Sequence, residues 1–298
     1  MARLPSVNLP VLGVSCIFAF VYLTVLLCVI LPWLSYSVPG VMNLAIFSTD
    51  TAVAFLCFLF CVCVDPGRVP DGFSADPEKS VAVMEVKRSS GAARFCQKCN
   101  RGKPARSHHC RVCGRCVLRM DHHCPWINNC VGHANYKAFL LFLLYASAAV
   151  VHAMGLLVAH AIHSLNMKAS HRAASLRSGP WAAGTRNTMA WAFVQTVCTA
   201  LTLPLSIGLV MLLCWNVYLL LCNKTTIEYH EGVTAKFQAL RSGQEYRHPY
   251  DLGLCSNLYA VFGPKPQHWM FPTRISAHGD GVQFNTIWDT DTGAYQGS

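Results

Sequence analysis

Apolar residues along this chain gather into long, nearly unbroken runs instead of recurring at the short periods of an amphipathic helix or strand. Val11–Leu31 is one run, Leu44–Val64 a second holding the single acid Asp50, Ala138–Leu165 a third and Trp191–Cys222 a fourth. Each reaches or exceeds the roughly 20 residues that cross a bilayer as a helix. Core helices of water-soluble folds seldom run so long without charge. The first run is also longer than the roughly 7–15 residues of a signal-peptide core, and no clear small-residue cleavage site follows it. The pattern predicts an α-helical integral membrane protein with four transmembrane helices. Residues 11–64 would carry helices 1 and 2, and residues 138–222 helices 3 and 4, with a polar loop over 166–190. Residues 1–10 form a short lead-in, 65–137 a region between helices 2 and 3, and 223–298 a C-terminal region.

Composition agrees with that layout. Of 298 residues, 53% are hydrophobic and 13% charged, against about 25% charged in soluble domains. Charge then sets the orientation. Four crossings put the lead-in, residues 65–137 and the C-terminal region on one side, where 20 Lys and Arg fall. The other side holds only Lys168, Arg172, Arg177 and Arg186. Positive residues mark the cytoplasmic face, so both termini and the 65–137 region are expected there. That compartment is reducing, and its cysteines are expected to serve metals or catalysis in place of disulfides.

Local signals refine the picture. Asp65-Pro66-Gly67 ends the second run as a turn, and Arg68 to about Gly91 reads as a linker or irregular wrap. Lys87–Arg119 contains ten Lys and Arg, a cluster that beside a membrane attracts phosphate from lipid headgroups or a phosphorylated cofactor. Nucleic acid is not expected as a partner, because the chain is tethered to a bilayer and shows no recognition-helix pattern. Pro204 should kink the fourth run. His160 and His163 read as interfacial or structural, and Cys61, Cys63 and Cys222 as packing residues at membrane edges. Thr225-Thr226-Ile227-Glu228 follows the fourth run and can cap or brace its exit. Tyr250–Gly263 reads as a short ordered element against the membrane face, and the polar, Gly-rich composition after about Arg274 as disordered.

The chemistry concentrates in residues 96–130. Cys96, Cys99, His109 and Cys116 form the pattern C-x2-C-x9-H-x6-C, and a shift of fourteen residues reproduces it in Cys110, Cys113, His123 and Cys130. Each set is Cys3His, the ligand count of a closed structural zinc site, so two zinc ions are expected. Seven cysteines lie in this stretch and two sites use six. The remaining one, Cys124, is the fourteen-residue echo of Cys110 and has no third site to serve. It stands directly after the ligand His123. A thiol free of metal but held by metal-fixed neighbours is a candidate nucleophile; it can equally be a spare thiol or an alternative ligand.

The motif Asp121-His122-His123-Cys124-Pro125-Trp126, the following Asn128-Asn129-Cys130-Val131-Gly132 and the ligand series together resemble the DHHC family of protein S-acyltransferases, or palmitoyltransferases. Asp65-Pro66-Gly67, Thr225-Thr226-Ile227-Glu228 (the family's TTxE) and Tyr250–Gly263 with Asn257 are similar to its other motifs. His248 departs from the Asn that many members have before the Pro249-Tyr250 pair. The resemblance covers about Val11–Gly263 and implies a small cytoplasmic double-zinc, cysteine-rich domain between helices 2 and 3.

It further implies that Cys124 takes a long acyl group, palmitoyl above all, from acyl-CoA as a thioester. Cys124 would then pass it to a cysteine of a membrane-associated protein. His122 and Asp121 would complete a triad-like group with Cys124. Thr226 or its neighbour Thr225 would hydrogen-bond Asp121, with Glu228 and Asn257 in support. An extended segment puts His122 on the side of Cys124 and turns His123 to zinc, but it also puts Asp121 on the zinc side, so a bend is required. The acyl chain is expected in a cavity among the four helices, and the basic cluster, with Arg94, Lys98 and Arg101, is expected to receive CoA phosphates. The membrane is expected to belong to the endomembrane system (Golgi or ER) or to be the plasma membrane. Two rivals remain. A ubiquitin-ligase adaptor needs a closing C-x2-C pair where Cys130 stands alone. A non-enzymatic membrane-tethered zinc module recruiting partners leaves the Asp-His-x-Cys arrangement and the TTxE segment without a task.

Overall fold

A computed structural model describes residues 9–73, 94–175, 185–243, 245–273 and 280–290. Parts of the expected lead-in, of the 68–91 linker with Lys87 and Arg88, of the 166–190 loop and of the tail lie outside them. Four helices are long and apolar enough to cross a membrane: Leu9–Leu34, Val38–Cys63, Tyr136–Met167 and Met189–Leu221. The first consists of α1 (Leu9–Val25) and a π-helical continuation, Leu26–Leu34. The others belong to α2 (Val38–Cys63), α3 (Tyr136–Ser175) and α4 (Thr185–Leu221, with Pro204 inside it).

Two expectations about connections are corrected here. The link between the first two helices shrinks to Ser35–Ser37, because the apolar residues just before Leu44 join α2. The expected 166–190 loop is helical over 166–175 and again from Thr185, leaving 176–184 between the helix ends. Backbone near a bilayer satisfies its own polar groups by staying helical.

The chain divides into two compact units. One contains Leu12–Leu56 and Phe142–Leu213, the bodies of the four helices. Its core is Val21, Val25, Val29, Ile30 and Phe47 against Ala149, Ala153, Leu156, Leu157 and Cys198, where small residues let helices approach closely. Polar pairs add to this: His152 Nε2 to Asn43 Oδ1 at 2.8 Å and Tyr22 OH to Ser48 Oγ at 3.1 Å. The π-helical segment contains Pro32, which has no N–H to give the carbonyl five residues back, that of Leu27. Gln195 Nε2 donates to the neighbouring carbonyl of Cys28 at 2.7 Å. His160 and His163 both pack on Trp33.

The second unit contains Cys57–Leu141 and Cys214–Ser298. Its centre is three antiparallel hairpins: β1–β2 (Phe95–Cys96 with Arg101–Gly102), β3–β4 (His108–Cys110 with Arg115–Val117) and β5–β6 (His122–Cys124 with Asn129–Val131). The second and third repeat each other in register, His109 opposite Cys116 and His123 opposite Cys130. Their turns repeat as well. Asn100, Gly114 and Asn128, each fourteen residues on, have φ of 50°, 65° and 48°, the left-handed region that Gly and Asn enter most easily. The Asp-Pro-Gly turn docks on this array: Leu118 N–H donates to Gly67 O and Ala134 N–H to Pro66 O, each at 3.0 Å. Gly67 has φ +114°, and a Cβ there would stand 3.3 Å from that of Leu118. Asn129 Nδ2 closes the end of α2, donating to the carbonyls of Cys61 and Val64 at 3.0 and 2.9 Å.

After α4 come α5 (Thr226–Arg241), α6 (Leu254–Phe262) and the single turn α7 (Ile287–Thr290). Residues 280–290 are ordered, against the expectation for the tail. Val282 packs with Cys96, Cys116 and Leu118, Phe284 meets Tyr250 edge-on, and Ile287 N–H donates to Pro249 O at 2.9 Å. A few apolar side chains in a polar stretch suffice to dock it.

All these pieces converge on Arg106, which is 2% exposed. Its Nε and Nη2 donate to the two carboxylate oxygens of Glu228, each at 2.7 Å, while Nη1 donates to Asn223 Oδ1 at 3.1 Å and Nη2 also to Asn223 O at 2.7 Å. Its face lies 4.3 Å from the ring centre of Tyr250 and 5.1 Å from that of Phe284. Burial by itself would raise the Glu228 carboxyl, but the Arg106 charge and hydrogen bonds hold it down at about 2. A carboxyl lowered in the folded state adds stability that is fully present above the unfolded value, about 4.3, and lost as pH falls towards 2. Glu228→Gln should therefore flatten the pH dependence of thermal unfolding between about pH 4.3 and 2. Arg106→Ala, which strands the carboxylate, should cost about 3–5 kcal/mol, read as a lowered Tm in detergent solution.

Candidate active site and metal centres

The hairpins bring the two predicted ligand sets together as two clusters, Cys96, Cys99, His109, Cys116 and Cys110, Cys113, His123, Cys130. In the first, His109 Nδ1 lies 3.6, 3.2 and 4.0 Å from the sulfurs of Cys96, Cys99 and Cys116. In the second, His123 Nδ1 lies 3.6, 3.5 and 3.6 Å from those of Cys110, Cys113 and Cys130. A tetrahedron with Zn–S of about 2.3 Å and Zn–N of about 2.0–2.1 Å has edges of about 3.6–3.8 Å. The donor atoms fit it, and the clusters form a zinc-binding region between helices 2 and 3.

Cys124 follows from the same construction. Cys96, Cys110 and Cys124 occupy the same place in the three hairpins, fourteen residues apart. In the first two hairpins the sulfur accepts backbone N–H groups two and three residues on, from Lys98 and Cys99 and from Val112 and Cys113. Cys124 accepts the same two, from Trp126 and Ile127. Where the first two hairpins have a second thiol, Cys99 and Cys113, the third has Ile127. The next echoes of the zinc ligands are Lys137 and Leu144, both on α3. Cys124 thus sits in the same kind of knuckle, outside both clusters found among the described residues.

The side chains around it form a chain of hydrogen bonds. Asp121 is 1% exposed and accepts His122 Nδ1–H on Oδ2 at 2.7 Å. It also accepts Thr226 N–H on Oδ1 and Thr226 Oγ1–H on Oδ2, each at 2.8 Å. The imidazole is bonded in turn to the Cys124 sulfur and packs edge-on against Phe139, 5.4 Å between centroids. The bend that the ideal strand lacked comes before β5. Arg119 has φ +41°, and Asp121 stands outside the strand while its N–H donates to Val131 O at 2.9 Å.

Electrostatics match this geometry. Burial lowers His122, but the bonds and charges of Asp121 and Cys124 more than offset it and raise it to about 9. Burial raises the Cys124 thiol, yet His122 and the two amides bring it below its usual value. A thiol lowered in this way beside a hydrogen-bonded imidazole is the arrangement that nucleophilic thiol chemistry requires.

The supporting residues also have defined places. Thr225 and Glu228 form a capping box at the start of α5, so the TTxE segment both caps this helix and braces Asp121. Asn257 is fully buried; its Nδ2 donates to Leu221 O and to Asp251 Oδ1, each at 2.7 Å, which fixes the end of α4. Sequence reasoning overlooked Arg106, Asn223 and Arg119. Arg119, buried 4.5 Å over the Tyr136 ring, is pushed down to about 10 by burial and by Arg106. Neither arginine had a distinguishing spacing; both looked like members of one basic cluster. Asn223 had a weak signal, a polar residue at the very end of an apolar run.

The basic cluster itself is divided. Arg106 and Arg119 are buried, Arg115 pairs with Asp65 at 2.6 Å and Arg101 with Asp71 at 3.1 Å, and Arg94 Nη1 donates to Pro104 O at 2.6 Å. Lys98, Lys103 and Arg111 line an open cavity of about 440 Å³ with Phe95, Gln97 and two members of the first cluster, Cys96 and His109.

Comparison with known proteins gives the family. The family model of the DHHC palmitoyltransferase matches residues 89–233. The chain is 44% identical to Probable protein S-acyltransferase 16 of Arabidopsis thaliana over 289 residues, 95% of this chain and 94% of that protein. It is 40% identical to Probable protein S-acyltransferase 15 of the same plant, over 91% of this chain and 99% of that one. With Palmitoyltransferase ZDHHC15A of Danio rerio the identity is 34%, over 70% and 59%.

The echo positions give a direct test of the ligand sets. Cys110→Ser should lose one of two bound zinc ions by elemental analysis and unfold more easily, since structural zinc binding is folding energy. Cys124→Ser should retain both ions and near-parental stability.

Proposed function

We propose, for a chain that belongs to the DHHC palmitoyltransferase family and is a multi-pass membrane S-acyltransferase, that Cys124 is its nucleophile and acyl-CoA its donor. The hydrogen-bonded line Thr226–Asp121–His122–Cys124 carries this reading. In the first step the Cys124 thiolate attacks the thioester carbonyl of acyl-CoA, a new thioester forms on Cys124, and CoA leaves as its thiol, taking the proton of the His122 imidazolium and leaving the ring neutral. In the second, His122 takes the proton of a substrate cysteine whose sulfur attacks acyl-Cys124, and Cys124 departs as the thiolate it began as. Asp121 holds the imidazole with Nδ1 protonated and steadies its positive charge. Thr226 fixes Asp121.

Cys96, Cys99, His109, Cys116 and Cys110, Cys113, His123, Cys130 would hold two zinc ions, whose task is to lock the hairpins. The acceptor is a cysteine of a membrane-associated protein, and the acyl chain is a long one, since each methylene buried in the bilayer contributes about 0.8 kcal/mol. Lys98, Lys103 and Arg111, sharing one cavity with few competing acids, suit the CoA phosphates better than Arg94 or Arg101, which already have partners. The charge asymmetry across the spans supports a cytoplasmic position for the zinc region and both termini, in an endomembrane or the plasma membrane.

Incubation with a long-chain acyl-CoA should give a hydroxylamine-sensitive label on the parent and none on Cys124→Ser; equal labelling of both would overturn the assignment. His122→Ala should slow thioester formation about 10²-fold or more. Because His122 lowers the thiol, the rise of rate with pH should also move to higher pH in that variant. Thr226→Ala should slow acyl transfer while both zinc ions stay bound; a parental rate there would reduce the segment to a helix cap.

A further inference from the structure

The helix α5 presents two unlike faces. Ile227 packs on the cluster of Cys110, Val117, Met120 and Cys130, Ala235 is buried, and Glu228 and Glu231 lie on that same side. On the opposite side Tyr229, Val233, Phe237 and Leu240 follow at spacings of four, four and three, one stripe of a helix. Val233, Phe237 and Leu240 are 58, 56 and 78% exposed. Exposed large apolar residues aligned like this need a covering surface.

Tyr229 identifies that surface. It heads the stripe, and its ring packs edge-on against Trp215 at 4.7 Å and Tyr218 at 6.2 Å. Those two residues belong to the last turns of the membrane-crossing part of α4, which ends at Leu221. Trp and Tyr at the end of a span mark the headgroup level of the bilayer. The stripe therefore continues along α5 from a residue already seated at that level. Charge agrees: His230, Lys236 and Arg241 flank the stripe and are exposed, while the two acids lie opposite. The Arg241 guanidinium sits 4.7 Å over the Phe237 ring, covering apolar surface with its head free for a phosphate.

We propose that α5 lies in the headgroup–acyl boundary of the same bilayer, with Val233, Phe237 and Leu240 inserted and Lys236 and Arg241 on anionic headgroups. Its first turn is the capping box whose Thr226 holds Asp121. The membrane surface thus sets the angle at which this helix brings Thr226 to the catalytic carboxylate. That coupling rests on the acyltransferase reading above; the membrane contact does not.

The full-length protein in nanodiscs of phosphatidylcholine, with or without phosphatidylserine, tests both parts. The photo-crosslinking residue p-benzoylphenylalanine is placed in turn at positions 237, 240 and 238, the last being exposed on the other side. Phospholipid adducts are expected at 237 and 240, at least twofold more with phosphatidylserine, and not at 238. Adducts to protein peptides would mean a protein partner or a second copy and overturn the proposal, as would no adduct or equal yield at all three positions. The triple variant Val233→Ser/Phe237→Ser/Leu240→Ser should retain both zinc ions and form acyl-Cys124 at least fivefold more slowly in nanodiscs. A parental rate would overturn the coupling. A parent chain that forms no thioester at all would sink the acyltransferase reading and leave the lipid adducts standing.

Discussion

The ion pair of Arg106 with Glu228 is the contact on which the second compact unit depends. Both side chains are largely withdrawn from water, and an isolated charge in that position is far more costly than a well-bonded pair. Every hydrogen bond around them therefore has to be present together. Arg106 comes from the loop between two hairpins, Asn223 from the end of a membrane helix, Glu228 from the helix cap, and Tyr250 and Phe284 from the C-terminal region. His248 joins them: burial pushes its imidazole down to about 4, so it remains neutral beside Glu228 and accepts no second positive charge next to Arg106.

That junction decides where Thr226 is. Glu228 closes the capping box with Thr225 and binds Arg106 with the same carboxylate. The residue after Thr225, Thr226, then has its N–H and hydroxyl on Asp121. Two carboxylates with separate tasks are thus bonded to adjacent residues, Glu228 to Thr225 and Asp121 to Thr226, one holding the fold and one holding the imidazole. A substitution at either end is transmitted through a single turn of helix.

The hairpin array offers a physical account of how a thiol with a lowered pKa arises beside two Cys3His clusters. A knuckle whose amides point at a cysteine sulfur stabilises negative charge there whether or not a metal is bound. In two hairpins that charge faces the other three donors of a Cys3His set. In the third the second thiol is replaced by Ile127, the remaining echo positions fall on α3, and the charge faces His122 instead. One backbone device recurs in all three hairpins, and the neighbours of each sulfur differ.

Much of this was legible in the residues themselves, because it rests on spacing along the chain. Long, nearly uncharged runs specify membrane helices, and a fourteen-residue repeat specifies two Cys3His clusters and one surplus cysteine. The left-handed turns at Asn100, Gly114 and Asn128 obey the same repeat. Other features depended on partners distant in sequence. The ten Lys and Arg of 87–119 look alike on paper, yet Arg106 and Arg119 are buried and Lys98, Lys103 and Arg111 line an open cavity. The order in 280–290 comes from Phe284 and Val282 finding Tyr250 and the first metal cluster, and the bend that turns Asp121 to His122 comes with the brace from Thr226. Local chemistry and periodicity are properties of the chain, so they can be read from it; burial and charge pairing are properties of which segments meet, and only the tertiary structure decides that.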